Sequence, residues 1–172
     1  MSLSARMTEE DLDLAYSRVD NPANVDSVIG QLLAAADDPS LRSPELELGV
    51  LLVYLSEIQT KVGRLDDAEA TLRRAIADDL HDGTDSATWL VNLFVGQGRL
   101  AEARQVFDQL VARGGAGMYE YERYAEALES AGEHVAAVEA YIGAQRAAEA
   151  VNDTHMADSM EKSATNVRKR TS

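Results

Sequence analysis

Three stretches decide how this chain folds: GRLDDAEATLRRA (residues 63–75), GRLAEARQVFDQL (98–110) and GEHVAAVEAYIGA (132–144). Their leading glycines, Gly63, Gly98 and Gly132, lie 35 and 34 residues apart. Five residues after each glycine comes an alanine: Ala68, Ala103 and Ala137. Four further on comes a large apolar residue: Leu72, Phe107 and Tyr141. Three beyond that come Ala75, Leu110 and Ala144. Steps of three and four keep these residues on one helix face. Upstream of each glycine runs a second helix-period pattern: Leu52/Leu55, Leu90/Phe94 and Tyr121/Tyr124/Leu128. A glycine takes positive φ at low cost, so it can end the first helix of a pair. The alanine lets the second helix approach closely, and the large residue fills the space between the two. No useful β-period alternation occurs, and only Pro22, Pro39 and Pro44 interrupt the chain. The sequence therefore predicts an all-α string of antiparallel helix pairs.

The period, the turn glycine and the alanine-x3-large core resemble the tetratricopeptide repeat (TPR) family, whose helix–turn–helix unit is about 34 residues long. The resemblance runs from Leu46 to Val151 and implies a right-handed superhelix of three units, about 45–83, 84–117 and 118–151. Leu52, Ala87 and Tyr121 stand where that family usually has an early tryptophan. Ser56, Val91 and Ala125 hold its mid-helix small position, and its unit-ending proline is missing from all three.

A degenerate pair is expected at 8–44, ahead of these units. Thr8 can cap a helix whose first turn carries Glu9, Glu10 and Asp11, where carboxylates suit the helix dipole. Leu12 and Tyr16 would pack one helix, and Val25, Ile29 and Leu32 the next, with Asp20-Asn21-Pro22 between them. Residues 37–44 read as a loop, and Ser43-Pro44-Glu45 as the start of the following helix. Residues 1–7 are expected to be a flexible tail. Residues 152–172 should form a capping helix, with Met156, Met160, Ala164 and Val167 on its apolar stripe, then a basic tail.

The chain has 172 residues, no cysteine, and 16 basic against 30 acidic side chains, for a net charge of −14. Disulfide frameworks, zinc–thiolate sites and thiol catalysis are excluded. The acidic excess argues against a nucleic-acid partner, since phosphate binding needs cations. Residues 162–172 are the exception: they carry Lys162, Arg168, Lys169 and Arg170 with no acid. Cations suit a helix C-terminus. Such a tail could also touch nucleic acid or dock on the acidic groove of a second copy. No segment reaches the roughly 18 apolar residues of a membrane span, and the first residues lack the apolar core of a secretory leader. A cytoplasmic, bacterial protein is the expectation, the latter from the preference for arginine over lysine and the abundance of alanine.

Motifs with a chemical reading have simpler explanations. Gly96-Gln97-Gly98-Arg99-Leu100-Ala101 spells a dinucleotide fingerprint, but no strand precedes it and it coincides with the repeat turn. The acidic run Asp78, Asp79, His81, Asp82 and Asp85 lacks calcium-loop ligands where Leu80 and Trp89 sit, and Asp82-Gly83 is turn chemistry. His81, His134 and His155 are far apart and form no zincin pair. No enzyme, metal or cofactor is expected.

The resemblance to TPR proteins implies a concave groove lined by the first helix of each pair. Its positions here are Val53, Glu57 and Lys61; then Asp85, Thr88, Trp89 and Asn92; then Tyr119, Glu122, Arg123 and Glu126. Trp89 is either an anchor or packed between repeats. Glu122 and Glu126 are one helical turn apart, with Glu129 close by. An ordinary solvated helix face and an acidic floor for a basic or mixed peptide both fit this pattern. The carboxylate clamp of chaperone-binding relatives is disfavoured, since only Asn92 and Arg123 suit it and like charges oppose an acidic peptide. The function expected is non-catalytic protein–protein interaction. The alternative is a self-associating structural subunit or a fixed component of a larger complex.

Overall fold

Gly63, Gly98 and Gly132 all take the left-handed conformation, with φ of +79°, +72° and +81°. A computed structural model of the chain describes residues 6–78 and 83–170, with side chains for all of these except 83–85. After each glycine, the next amide reaches back to the helix that has just ended. Arg64 donates to the Gln59 carbonyl, Arg99 to Phe94 and Glu133 to Leu128, each at 2.8 Å. The glycine amides bond Thr60, Val95 and Glu129 at 2.9–3.0 Å. This double bond closes a helix end with a left-handed residue. Asn152 (φ +61°) makes the same turn after the last repeat, with the Asp153 amide on the Ala148 carbonyl at 2.9 Å.

Among the described residues there are nine α-helices and no strand: α1 Glu9–Arg18, α2 Val25–Asp37, α3 Leu48–Lys61, α4 Leu65–Ala77, α5 Gly83–Gly96, α6 Leu100–Ala112, α7 Met118–Ser130, α8 His134–Ala150 and α9 Thr154–Arg170. All nine residues of the repeated alanine, large and third positions are buried. So are Leu52, Leu55, Leu90, Phe94, Tyr124 and Leu128 on the first helices. The chain is thus an all-α helical-repeat protein. It divides into two compact units, Met1–Ser86 and Ala87–Ser172.

In the first unit, Thr8 caps α1 as expected. Its hydroxyl accepts from the Asp11 amide at 3.4 Å, and the Asp11 carboxylate accepts from the Thr8 amide at 3.0 Å. Three details differ from the sequence reading. Met7 is not part of a free tail: it is 4% exposed. Its amide donates to the Leu41 carbonyl and its carbonyl accepts from the Ser43 amide, both at 2.8 Å. Tyr16 is 39% exposed, and Ala15 and Val28 take the core positions instead. The helix expected at Ser43-Pro44-Glu45 begins only at Leu48, because the Ser43 hydroxyl instead accepts the Glu45 amide in a local turn. Arg74 of α4 ties back to α2, pairing Asp37 at 2.8 Å and donating to the Ala36 carbonyl at 3.3 Å.

In the second unit, α7, α8 and α9 pack in sequence. Gly143 of α8 lets Tyr121 lie against the helix backbone, since a Cβ at this position would come within 2.5 Å of the ring. The α9 stripe is Ala157, Met160, Ala164 and Val167, and Met156 is only half-buried.

Candidate partner-binding surface

α7 starts at a turn fixed by its own acid: the Glu120 carboxylate accepts the Gly117 amide at 2.8 Å. Beyond it, Glu122, Glu126 and Glu129 follow at intervals of four and three residues, so they share one face. The three carboxylates have unlike surroundings. Glu129 accepts the Tyr141 hydroxyl at 3.0 Å and pairs with Arg170 at the end of α9. That arginine holds the Glu129 carboxyl below its ordinary range. Glu122 is half-buried, and among the described residues neither it nor Glu126 makes an ion pair. Desolvation pushes the Glu122 carboxyl up, Glu126 adds to the rise, and the neighbouring Arg123 opposes it. The Tyr141 hydroxyl is raised by burial first and then by Glu129, Glu126 and Glu122, so all three acids act on one point of α8. A pocket of about 490 Å³ closes this end of the row, bounded by Glu126, Glu129, Ser130, His134, Tyr141 and Arg170.

The basic tail is therefore engaged at Arg170 by an acid of its own chain. Sequence reasoning missed this pair because 41 residues separate its members and no local pattern links them.

The other expected groove residues are placed as follows. Tyr119 is 56% exposed at the start of α7, and Arg123 is exposed beside it. Thr88 is buried, Trp89 is half-buried, and the Asn92 Oδ1 is buried with no hydrogen-bond partner among the described residues. Asp85, with the rest of the acidic run from Asp79 onward, lies outside the residues whose side chains are described. Asp78 pairs within its own helix with Arg74 at 3.7 Å. In the first unit Val53 and Glu57 are half-buried, and desolvation raises the Glu57 carboxyl. Lys61 is committed to α1 and the turn after it. Its ammonium pairs Asp20 at 2.8 Å, donates to the Tyr16 carbonyl at 3.0 Å and sits 4.0 Å from the Tyr16 ring centre. Tyr54 of α3 donates to Asp13 of α1 at 3.2 Å.

Glu57, Asn92 and Glu126 each stand six residues before a repeat glycine. One register of the repeat thus carries acceptor side chains in all three pairs. A buried amide oxygen without a donor costs about 1–3 kcal/mol, so Asn92 is the strained member of this register.

Together these features define an α-helical repeat protein with an acidic face on one first helix. No described helix is long and apolar enough to cross a membrane. No family model and no curated protein matches the chain. Among solved structures it is similar to MamA MSR-1, at 17% identity and a TM-score of 0.45, over 93% of this chain and 95% of that one. It is similar also to MamA AMB-1, at 16% identity and a TM-score of 0.47, over 91% and 89%. Identity this low and overlap this loose transfer neither partner nor activity to this chain.

Proposed function

We propose that the chain is a tetratricopeptide-type scaffold that binds a basic or mixed-charge protein segment against its first helices and catalyses no reaction. The observation that carries this reading is the unmatched part of the α7 row. Glu122 and Glu126 stand one turn apart, Glu122 partly out of water, with only the exposed Arg123 to offset them. An arginine or lysine from a partner would relieve the repulsion and neutralise a carboxylate that water reaches poorly. Electrostatic complementarity of this kind sets specificity and association rate. Tyr119 adds an exposed aromatic surface at the start of the same helix, and aromatic residues are frequent anchors in interfaces.

The test is capture of partners from native lysate with the wild-type chain and with Glu122→Gln/Glu126→Gln. The expected result is a basic partner held by the wild type and lost from the double variant. A partner retained equally by both would remove α7 from the account. Recovery of the bait alone, with a concentration-independent oligomer in sedimentation, would establish the self-associating subunit instead.

A further inference from the structure

α7 presents a second face, away from its carboxylate row. Tyr121, Tyr124 and Leu128 lie there, roughly a third of a turn from Glu122 and Glu126 at about 100° per residue. They floor a cleft of about 520 Å³ whose walls are α6 and α8. That volume lies within the range of about 300–1,000 Å³ typical of binding sites. Phe107 of α6 stacks on Tyr124 at 4.2 Å between ring centres and meets Tyr121 edge-on at 5.0 Å. Leu100 and Val111 on α6 and Ala136 on α8 continue the apolar lining up to solvent.

Two features show what the cleft lacks. Tyr124 is 9% exposed, and its hydroxyl keeps access to solvent and makes no hydrogen bond to another described residue. This phenol is a donor at neutral pH, as any tyrosine is, and burial moves its titration further up. The rim is also unbalanced. One arginine, Arg104, faces three carboxylates, Asp108, Glu133 and Glu139, and it reaches only Asp108, at 3.8 Å with both groups exposed.

We propose that the α6/α8 cleft is a second docking site, for an amphipathic helix of another protein that buries two leucine-sized residues on the Phe107/Tyr124 floor and sets arginines or lysines against Glu133 and Glu139. A groove between two helices with an apolar floor is the setting in which helix-in-groove recognition operates. A carbonyl at the helix end would accept from Tyr124. A second copy fits less well, because a two-fold contact through this cleft would set its acidic rim against itself.

The probe is a fluorescent synthetic helix with two leucines one turn apart between flanking arginines, titrated into the full chain. Wild type should bind it saturably. Ala136→Trp fills the cleft from a half-exposed position, and Glu133→Lys/Glu139→Lys reverses the rim at two exposed ones. Each should weaken binding by about tenfold or more, the scale of a lost interface hot spot. Circular dichroism and Glu122→Gln/Glu126→Gln binding should be unchanged, which separates this site from the α7 row. No saturable binding to wild type would overturn the proposal, as would equal binding to the cleft variants or to a probe with glutamates in place of arginines. A wild-type dimer abolished by Ala136→Trp would replace the foreign helix with a second copy.

Discussion

The two units place their charges differently. In Met1–Ser86 several charged groups are bonded within the unit, although Glu57 on α3 is half-buried and makes no ion pair among the described residues. Lys61 pairs with Asp20, Tyr54 with Asp13, Arg64 with Asp26 and Arg74 with Asp37. In Ala87–Ser172, among the described residues, the α7 row is ion-paired at Glu129 and not at Glu122 or Glu126. Paired surface charges hold helices in register but contribute little energy each. Glu122, partly desolvated beside Glu126, weakens the fold slightly instead, and in the proposed reading this pair is what a partner would meet. In the proposed reading, the difference separates charges that organise the chain from charges that recognise a partner.

The largest effect expected from breaking this arrangement is in the second unit's core. Phe107→Ala should lower stability by about 3–5 kcal/mol in urea denaturation, as for other large buried aromatics. Gly143→Ala should lower it by about 1–3 kcal/mol, because the added Cβ meets the Tyr121 ring and overpacks the contact. If Gly143→Ala is silent, Tyr121 moves freely and does not fix α7 against α8. Gly132→Ala should lower it by about 1–2 kcal/mol through the left-handed backbone alone.

Lys61→Ala tests the bonded side of the comparison. It should lower stability by about 1 kcal/mol, from a cation–ring contact and a surface ion pair together. Glu122→Gln tests the open side and has the opposite sign. A raised acid weakens the folded state above its folded pKa and ceases to do so once pH falls below the ordinary glutamate value. Neutralising it should therefore raise stability by about 0.2–0.5 kcal/mol at pH 7, the scale of one like-charge pair. The gain should vanish in acid. Glu129 behaves oppositely: its carboxyl is lowered, so its contribution is present above the ordinary glutamate value and lost as pH falls through the depressed one. Arg170→Ala should shift the Glu129 carboxyl upward by NMR titration and leave Glu122 where it is.

The repeat was legible because its determinants are local. A glycine that must turn left-handed, an alanine five residues on and a large residue four beyond that are constraints within one helical hairpin. The same holds for Thr8, whose cap partner is three residues away. What escaped the sequence are contacts between distant segments. Met7 is held by Leu41 and Ser43, and Arg170 finds Glu129 across two helices. Thr71 donates to Gln59 at 2.9 Å inside the α3–α4 pair, a buried polar contact that a purely apolar pattern cannot mark. Within the candidate surface, sequence spacing placed Glu122 and Glu126 on one face, but it did not reveal the half-burial of Glu122 or the tether of Glu129 to Arg170. The contacts of Lys61, one of the expected groove residues, with Asp20 and Tyr16 were likewise not legible.

The most direct measurement is the affinity of an arginine-rich peptide for three chains: wild type, Glu122→Gln/Glu126→Gln, and Asp13→Asn/Asp20→Asn. Both variants remove the same formal charge, one from the open row and one from the bonded set. The account predicts a loss of about tenfold, or 1.4 kcal/mol, in the first and little change in the second. Equal losses in both, which would mean that only net charge attracts the peptide, would contradict it.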